Sequence, residues 1–140
     1  MADQNTGFRE EQRLSNATPW VQNLVFGFSG TLTKGDIVSV SSGQAILGAT
    51  GAVIFAGVAL ETKVGVSGTT KILVSMAPDN VYAVYDPNAR NIGASLDLSG
   101  ATGAQTIAAA SNNDFIVVGK SADLQWTYVM IKRAKHFLGA

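Results

Sequence analysis

The run Lys71-Ile72-Leu73-Val74-Ser75-Met76 sets Ile72, Val74 and Met76 on one side of the chain and Lys71, Leu73 and Ser75 on the other. Side chains alternate across an extended strand but recur every 3.6 residues around a helix, so a spacing of two reads as a strand with at least one face buried. The same period runs outward in both directions. Upstream, Leu24, Phe26 and Phe28 are separated by Val25 and Gly27. Downstream, Leu96 and Leu98 alternate with Ser95 and Asp97, and Leu124, Trp126, Tyr128 and Met130 share a face against Gln125, Thr127, Val129 and Ile131. Between these runs stand Ser29-Gly30, Lys34-Gly35-Asp36, Ser42-Gly43, Ser67-Gly68, Pro78-Asp79-Asn80, Asp86-Pro87-Asn88, Ser99-Gly100 and Ser111-Asn112-Asn113-Asp114. Each supplies a positive φ, a proline-set φ or an Asx side-chain bond, the ingredients of tight turns. About eight to ten short strands punctuated in this way predict an all-β fold, a compact barrel or sandwich. Only Asn88–Ala94, Gln105–Ser111 and the last dozen residues have room for a helical turn, and none is amphipathic over enough length.

Composition narrows the function classes. The 140 residues suit one domain, 46% of them are hydrophobic, and only 14% are charged, ten basic against ten acidic. Zero net charge lacks the electrostatic footprint of a nucleic-acid binder. A sparsely charged surface without net repulsion favours association. With no cysteine there is no disulfide, thiolate nucleophile or cysteine-ligated zinc. The N-terminal stretch has mixed charges and no apolar h-region, and the longest apolar run, Ala52 to Leu60, falls far short of a membrane span. A soluble protein made in the cytosol is expected, with no membrane partner.

Charge is unevenly distributed. Residues 1–13 carry five charges, whereas residues 14–131 carry twelve. The first segment is too polar to offset its own ordering entropy, so residues 1–20 read as an extended N-terminal arm ahead of a single β domain over 21–140. Phe8, Leu14, Pro19 and Trp20 are the anchors with which such an arm would hold a neighbouring subunit. The Ser29–Lys34 and Ser67–Lys71 stretches echo each other, which in a Ser/Thr/Gly-rich chain reads as shared turn chemistry.

Catalytic constellations are hard to assemble from these residues. The single histidine, His136, lies in the basic run Lys132-Arg133-Ala134-Lys135 and reads as a solvated tail residue without the partner that orients a catalytic imidazole. Gly27-Phe28-Ser29-Gly30 and Gly65-Val66-Ser67-Gly68 are not the G-x-S-x-G elbow. Gly48-Ala49-Thr50-Gly51 and Gly100-Ala101-Thr102-Gly103 lack both the helix and the GK[ST] continuation of a phosphate cradle. Asp36, Asp79, Asp86 and Asp114 fall in turns, Glu61 pairs with Lys63, and no two acids share a strand face as a glycosidase dyad or cation cage needs. No enzyme, cofactor or metal is expected. Lys132, Arg133 and Lys135 read either as a solvated strand end or as a contact to an acidic partner.

The central segment resembles a known family. Lys34-Gly35-Asp36-Ile37-Val38-Ser39-Val40 leads through Gly43-Gln44-Ala45-Ile46-Leu47-Gly48-Ala49-Thr50 to Phe55-Ala56-Gly57-Val58-Ala59-Leu60, then Gly65-Val66-Ser67-Gly68 and Lys71-Ile72-Leu73-Val74. This order is similar to the capsid decoration, or cement, proteins of tailed bacteriophages, and covers roughly residues 30–76. The resemblance implies a β-rich, β-tulip-like domain, often a homotrimer, that sits on the outer surface of the virion head and binds the major capsid protein. It implies no catalysis and no cofactor. Two other classes stay open: another virion component such as a fibre base, spike or tail protein, and a carbohydrate- or small-ligand-binding module with Trp20 and Trp126 as stacking platforms.

Overall fold

The computed structural model describes residues 7–13, 20–49, 54–109 and 113–137. In chain order the strands are β1 (Phe8–Arg13), β2 (Val21–Val25), β3 (Gly30–Leu32), β4 (Ile37–Ser41), β5 (Gln44–Leu47), β6 (Phe55–Ala59) and β7 (Lys63–Gly65). They continue with β8 (Lys71–Ser75), β9 (Asn80–Tyr85), β10 (Ser95–Ser99), β11 (Thr106–Ala109), β12 (Phe115–Lys120) and β13 (Trp126–Ile131). Among the described residues the helical content is a single 3-10 turn at Arg133–Lys135, in the last dozen residues. The other two segments with room for a helical turn take other forms: 88–94 is irregular and 106–109 is strand. The all-β expectation is met. No described helix is long and apolar enough to cross a membrane.

Two antiparallel sheets hold two cores. The six-stranded sheet runs β1-β9-β13-β12-β10-β11, the five-stranded sheet runs β2-β8-β6-β4-β5, and β3 pairs with β7. The five-stranded sheet curls until its edges meet at a parallel bridge between Phe26 and Ala45, where the Gly27 N–H donates to the Ala45 carbonyl at 2.7 Å. Phe26, Leu32, Val38, Ala45, Ala56, Ile72 and Val74 fill its concave side. Ile37 on β4 and Phe55 and Val58 on β6 point the other way, a register shift against β4 re-aiming β6 at Ala56, and join Tyr82, Val84, Leu98, Phe115 and Val129 in the second core. Strands β4 and β6 thus serve both cores, which explains why Phe55–Ala59 is buried at every position rather than alternately.

Buried polar side chains tie the two sheets together. Gln105, ahead of β11, accepts from the Ile37 N–H at 2.6 Å and donates to the Gly48 carbonyl at 2.9 Å. The Asp36 carboxylate accepts from the Thr33 and Gly103 N–H groups and from the Thr102 hydroxyl. At another point the Ser75 hydroxyl donates to Glu10, and Asn80 donates to both Ser75 and Tyr82. Burial holds the Tyr82 hydroxyl far above its usual titration range.

The N-terminal segment departs from the arm expectation. Residues 8–13 pair with β9 as the edge strand of the six-stranded sheet. Phe8 is 2% exposed, its ring 5.2 Å from that of Phe115 and edge-on to Tyr82. Arg9 and Glu11 are exposed and turn away from Phe8, and Glu10 meets Ser75 at the seam, so the single apolar side chain of Phe8 seats the strand. Leu14 and Pro19 lie outside the described residues.

Candidate functional site

Strand β13 displays its aromatic face outward. Thr127, Val129 and Ile131 are buried, whereas Trp126, Tyr128 and Met130 are half-buried on the convex side of the six-stranded sheet. The buried face is thus the one opposite the aromatics. Cross-strand register sets Trp126 beside Tyr85, Tyr128 beside Ala83, and Met130 beside Ile116. Arg9, opposite Ala83 on β1, lays its guanidinium 3.9 Å from the Trp126 ring centroid, and Tyr85 meets the same ring edge-on at 5.6 Å.

At one end of this face lies a pocket of about 520 Å³. Ile116, Met130, Ile131, Pro78 and Ala134 give it an apolar lining, with Lys132, Arg133 and Asp79 also on its wall. The basic run is therefore divided. Lys132 and Arg133 border the pocket, whereas Lys135 turns back and stands 3.7 Å from Asp114, a fully buried carboxylate that accepts the Leu98 N–H. The expected acidic-partner contact through three cations is reduced to two, because the 3-10 turn points Lys135 into the domain. The sequence spacing of Ile116 and Met130 did not mark this pocket; only their register across β12 and β13 joins them.

His136 is 1% exposed rather than solvated. It bridges to Phe55, the Phe137 N–H donates to the Phe55 carbonyl, and Phe137 packs on the smaller core. Burial pushes the imidazole below its usual 6.5, against the pull of backbone hydrogen bonds with Ala56 and Met76. The two expected stacking platforms already have partners: Trp126 carries Arg9, and Trp20 stacks on Phe137 at 6.5 Å.

The acids are occupied within the fold. Asp86 binds the Arg90 guanidinium at 2.9 Å and accepts from Asn88 and Thr127. Burial raises that carboxyl, and the three hydrogen bonds outweigh it, leaving the group below its ordinary range. The Lys120 ammonium donates to the carbonyls of Asp86 and Asn88 and to the Thr127 hydroxyl. Glu61 stands 3.8 Å from Lys63, as the sequence suggests, and accepts the Leu73 N–H. Among the described residues no three metal-ligating side chains converge.

The Gly65-Val66-Ser67-Gly68 motif has a steric origin. A Cβ on Gly65 would stand 2.2 Å from the Phe26 ring, so the ring demands glycine there. With that position pinned inward, Val64 and Val66 both face solvent, 77% and 59% exposed. Compared with known proteins, the chain matches no family model, no curated protein and no solved structure.

Proposed function

We propose that this protein is a non-enzymatic virion structural protein that binds the outer surface of a phage capsid and stabilises the shell. Its partners on this reading are the major capsid protein and further copies of itself, as a homotrimer on the lattice. The observation that carries the reading is the outward pair Val64 and Val66, held by the Gly65–Phe26 contact inside the very segment that resembles the decoration proteins. Two valines flanking a buried glycine form a small outward apolar tip that a partner surface can cover. A lattice of identical sites makes such a modest contact sufficient, because many weak contacts act together. The pocket beside Lys132 and Arg133 adds a second surface suited to an acidic neighbour.

The test is to mix the purified protein with expanded and unexpanded heads of the phage whose genome encodes it and to count bound copies. Saturation at a multiple of the lattice three-folds supports the reading, and Val64→Ser with Val66→Ser should lower occupancy while leaving the melting temperature unchanged. Binding at one vertex or along a tail would transfer the protein to another virion role, and no binding to either head form would end the proposal. The sugar-binding alternative is disfavoured by the occupied faces of Trp20 and Trp126.

A further inference from the structure

The turn between β12 and β13 holds an apolar side chain in water at a backbone cost. The Leu124 N–H donates to the Ser121 carbonyl, and Leu124 takes a left-handed φ of 61° with its side chain 61% exposed. Such strain persists where the surroundings over-determine it, and it collects at sites of function. Beside it, Asp123 accepts from the Ser121 hydroxyl and the Gln125 N–H through the single oxygen Oδ1. Those bonds fix the carboxylate and hold it below its ordinary titration range. Its other oxygen, Oδ2, has no hydrogen-bond partner among the described residues. Of the large apolar side chains exposed among the described residues, only Leu124 has an acid next to it in the chain.

The opposite end of the same hairpin carries the complement. Ile116 and Met130 face each other across β12 and β13 and line the pocket of about 520 Å³, with Lys132 and Arg133 on its wall. Ligand pockets begin near about 300 Å³, so there is room for a leucyl side chain. Among the described residues, neither the Lys132 ammonium nor the Arg133 guanidinium has an ion pair or a hydrogen bond. Lys63, Arg90, Lys120 and Lys135, by contrast, are each held near oxygens of the fold. Asp79, the acid on the pocket wall, already has an interaction of its own.

We infer that the β12–β13 turn of one copy docks in this pocket of a second copy, Leu124 against Ile116 and Met130, and the Asp123 carboxylate against Lys132 and Arg133. A second copy is the occupant because its turn supplies an apolar side chain and a carboxylate on adjacent residues, the two chemistries that the pocket presents. Apolar surface meets apolar surface, and a carboxylate with one open oxygen meets two cations. Burial against a neighbour also gives the strained leucine a role that the lone domain does not supply. Turn and pocket are different surfaces, so the contact is head-to-tail, and each added copy leaves one turn and one pocket open until a ring closes. A zero net charge imposes no long-range repulsion on the approach. The contact is small beside a standard interface of about 1,600 Å², so association is concentration-dependent. It goes beyond the capsid reading and stands without it.

Sedimentation equilibrium of the full chain over roughly 10 μM to 1 mM tests this, since small interfaces dissociate in that range. The weight-average mass should climb with concentration. Leu124→Asn removes the apolar side chain and suits the left-handed turn, and it should weaken association about 10- to 100-fold. Lys132→Glu with Arg133→Glu, which turns the pocket rim acidic, should weaken it roughly tenfold or more. Circular dichroism and melting temperatures at about 10 μM, where the copies are separate, report an intact fold in both variants. Mixed one to one, the two variants should pair, because the intact turn of one meets the intact pocket of the other, and the mixture should stop at a dimer. A wild-type protein that stays monomeric to about 1 mM overturns the inference. So does association that either variant leaves unchanged, or a mixture that fails to pair. No phage head enters this experiment, so its failure removes the turn-and-pocket contact and leaves capsid binding to its own test.

Discussion

Truncating Phe8 to alanine separates a seated strand from a free arm. The ring is buried in the larger core, stacked on Phe115 and edge-on to Tyr82. A buried phenylalanine removes about 150–250 Å² from water, which at ~25 cal/mol per Å² corresponds to roughly 4–6 kcal/mol for the whole side chain. Alanine keeps the Cβ, while the cavity and the two lost ring contacts add to the cost, so the net loss is about 3–5 kcal/mol. That is a large part of the ~5–15 kcal/mol available to a domain. With a urea dependence of about 2 kcal/mol per molar, the unfolding midpoint should fall by about 2 M. Urea titration followed by tryptophan fluorescence and far-ultraviolet circular dichroism measures it. Phe8→Leu, which retains most of the volume, should lose only about 1 kcal/mol. A Phe8→Ala protein within about 0.5 kcal/mol of wild type, the scatter of an ordinary surface substitution, would refute the packing argument and restore the arm. Deleting residues 2–19 gives no such separation, because it removes β1 together with any arm.

Two further predictions follow from buried and strained groups. His136 has a folded pKa below its unfolded value of 6.5, so the unfolded chain binds the extra proton. Its contribution to stability is complete above pH 6.5 and declines as the pH falls from there through the folded pKa; melting temperatures between pH 7.5 and 5 should show this decline, and a flat profile would place the imidazole in solvent. Leu124 holds a left-handed φ of 61° at the β12–β13 turn with its side chain 61% exposed. Since that conformation costs an L-residue about 1–2 kcal/mol and asparagine tolerates it better, Leu124→Asn should raise stability by about 1 kcal/mol, and a lower melting temperature would reveal a contact made by the leucine.

Alternation along Lys71–Met76 is a local property, and it reported the strand and its buried face correctly: Ile72, Val74 and Met76 are core and Leu73 is exposed. The Glu61–Lys63 pair was legible for the same reason, since its members are two residues apart. On β13 the same period located the strand but not its direction. A repeat of two says that faces differ; it does not say which faces a second sheet. Trp126, Tyr128 and Met130 outnumber Thr127 in apolar area, yet register with β9 and β12 turns them to the convex side. His136 and Lys135 show the limit from another direction. Charge density near the chain's end suggests solvent, whereas a 3-10 turn folds one onto Phe55 and the other onto Asp114.

By itself, then, the amino-acid order determined the strand period, the turns, the scarcity of charge and the uncharged stretch that became β2. These depend on neighbours within a few residues, where covalent geometry dictates the outcome. Tertiary structure decided that Phe8 is core, that Ile116 and Met130 share a pocket, and that the edges of the five-stranded sheet meet at Phe26 and Ala45. Each of those depends on which distant strand is the neighbour, and that choice is made by packing over the whole domain.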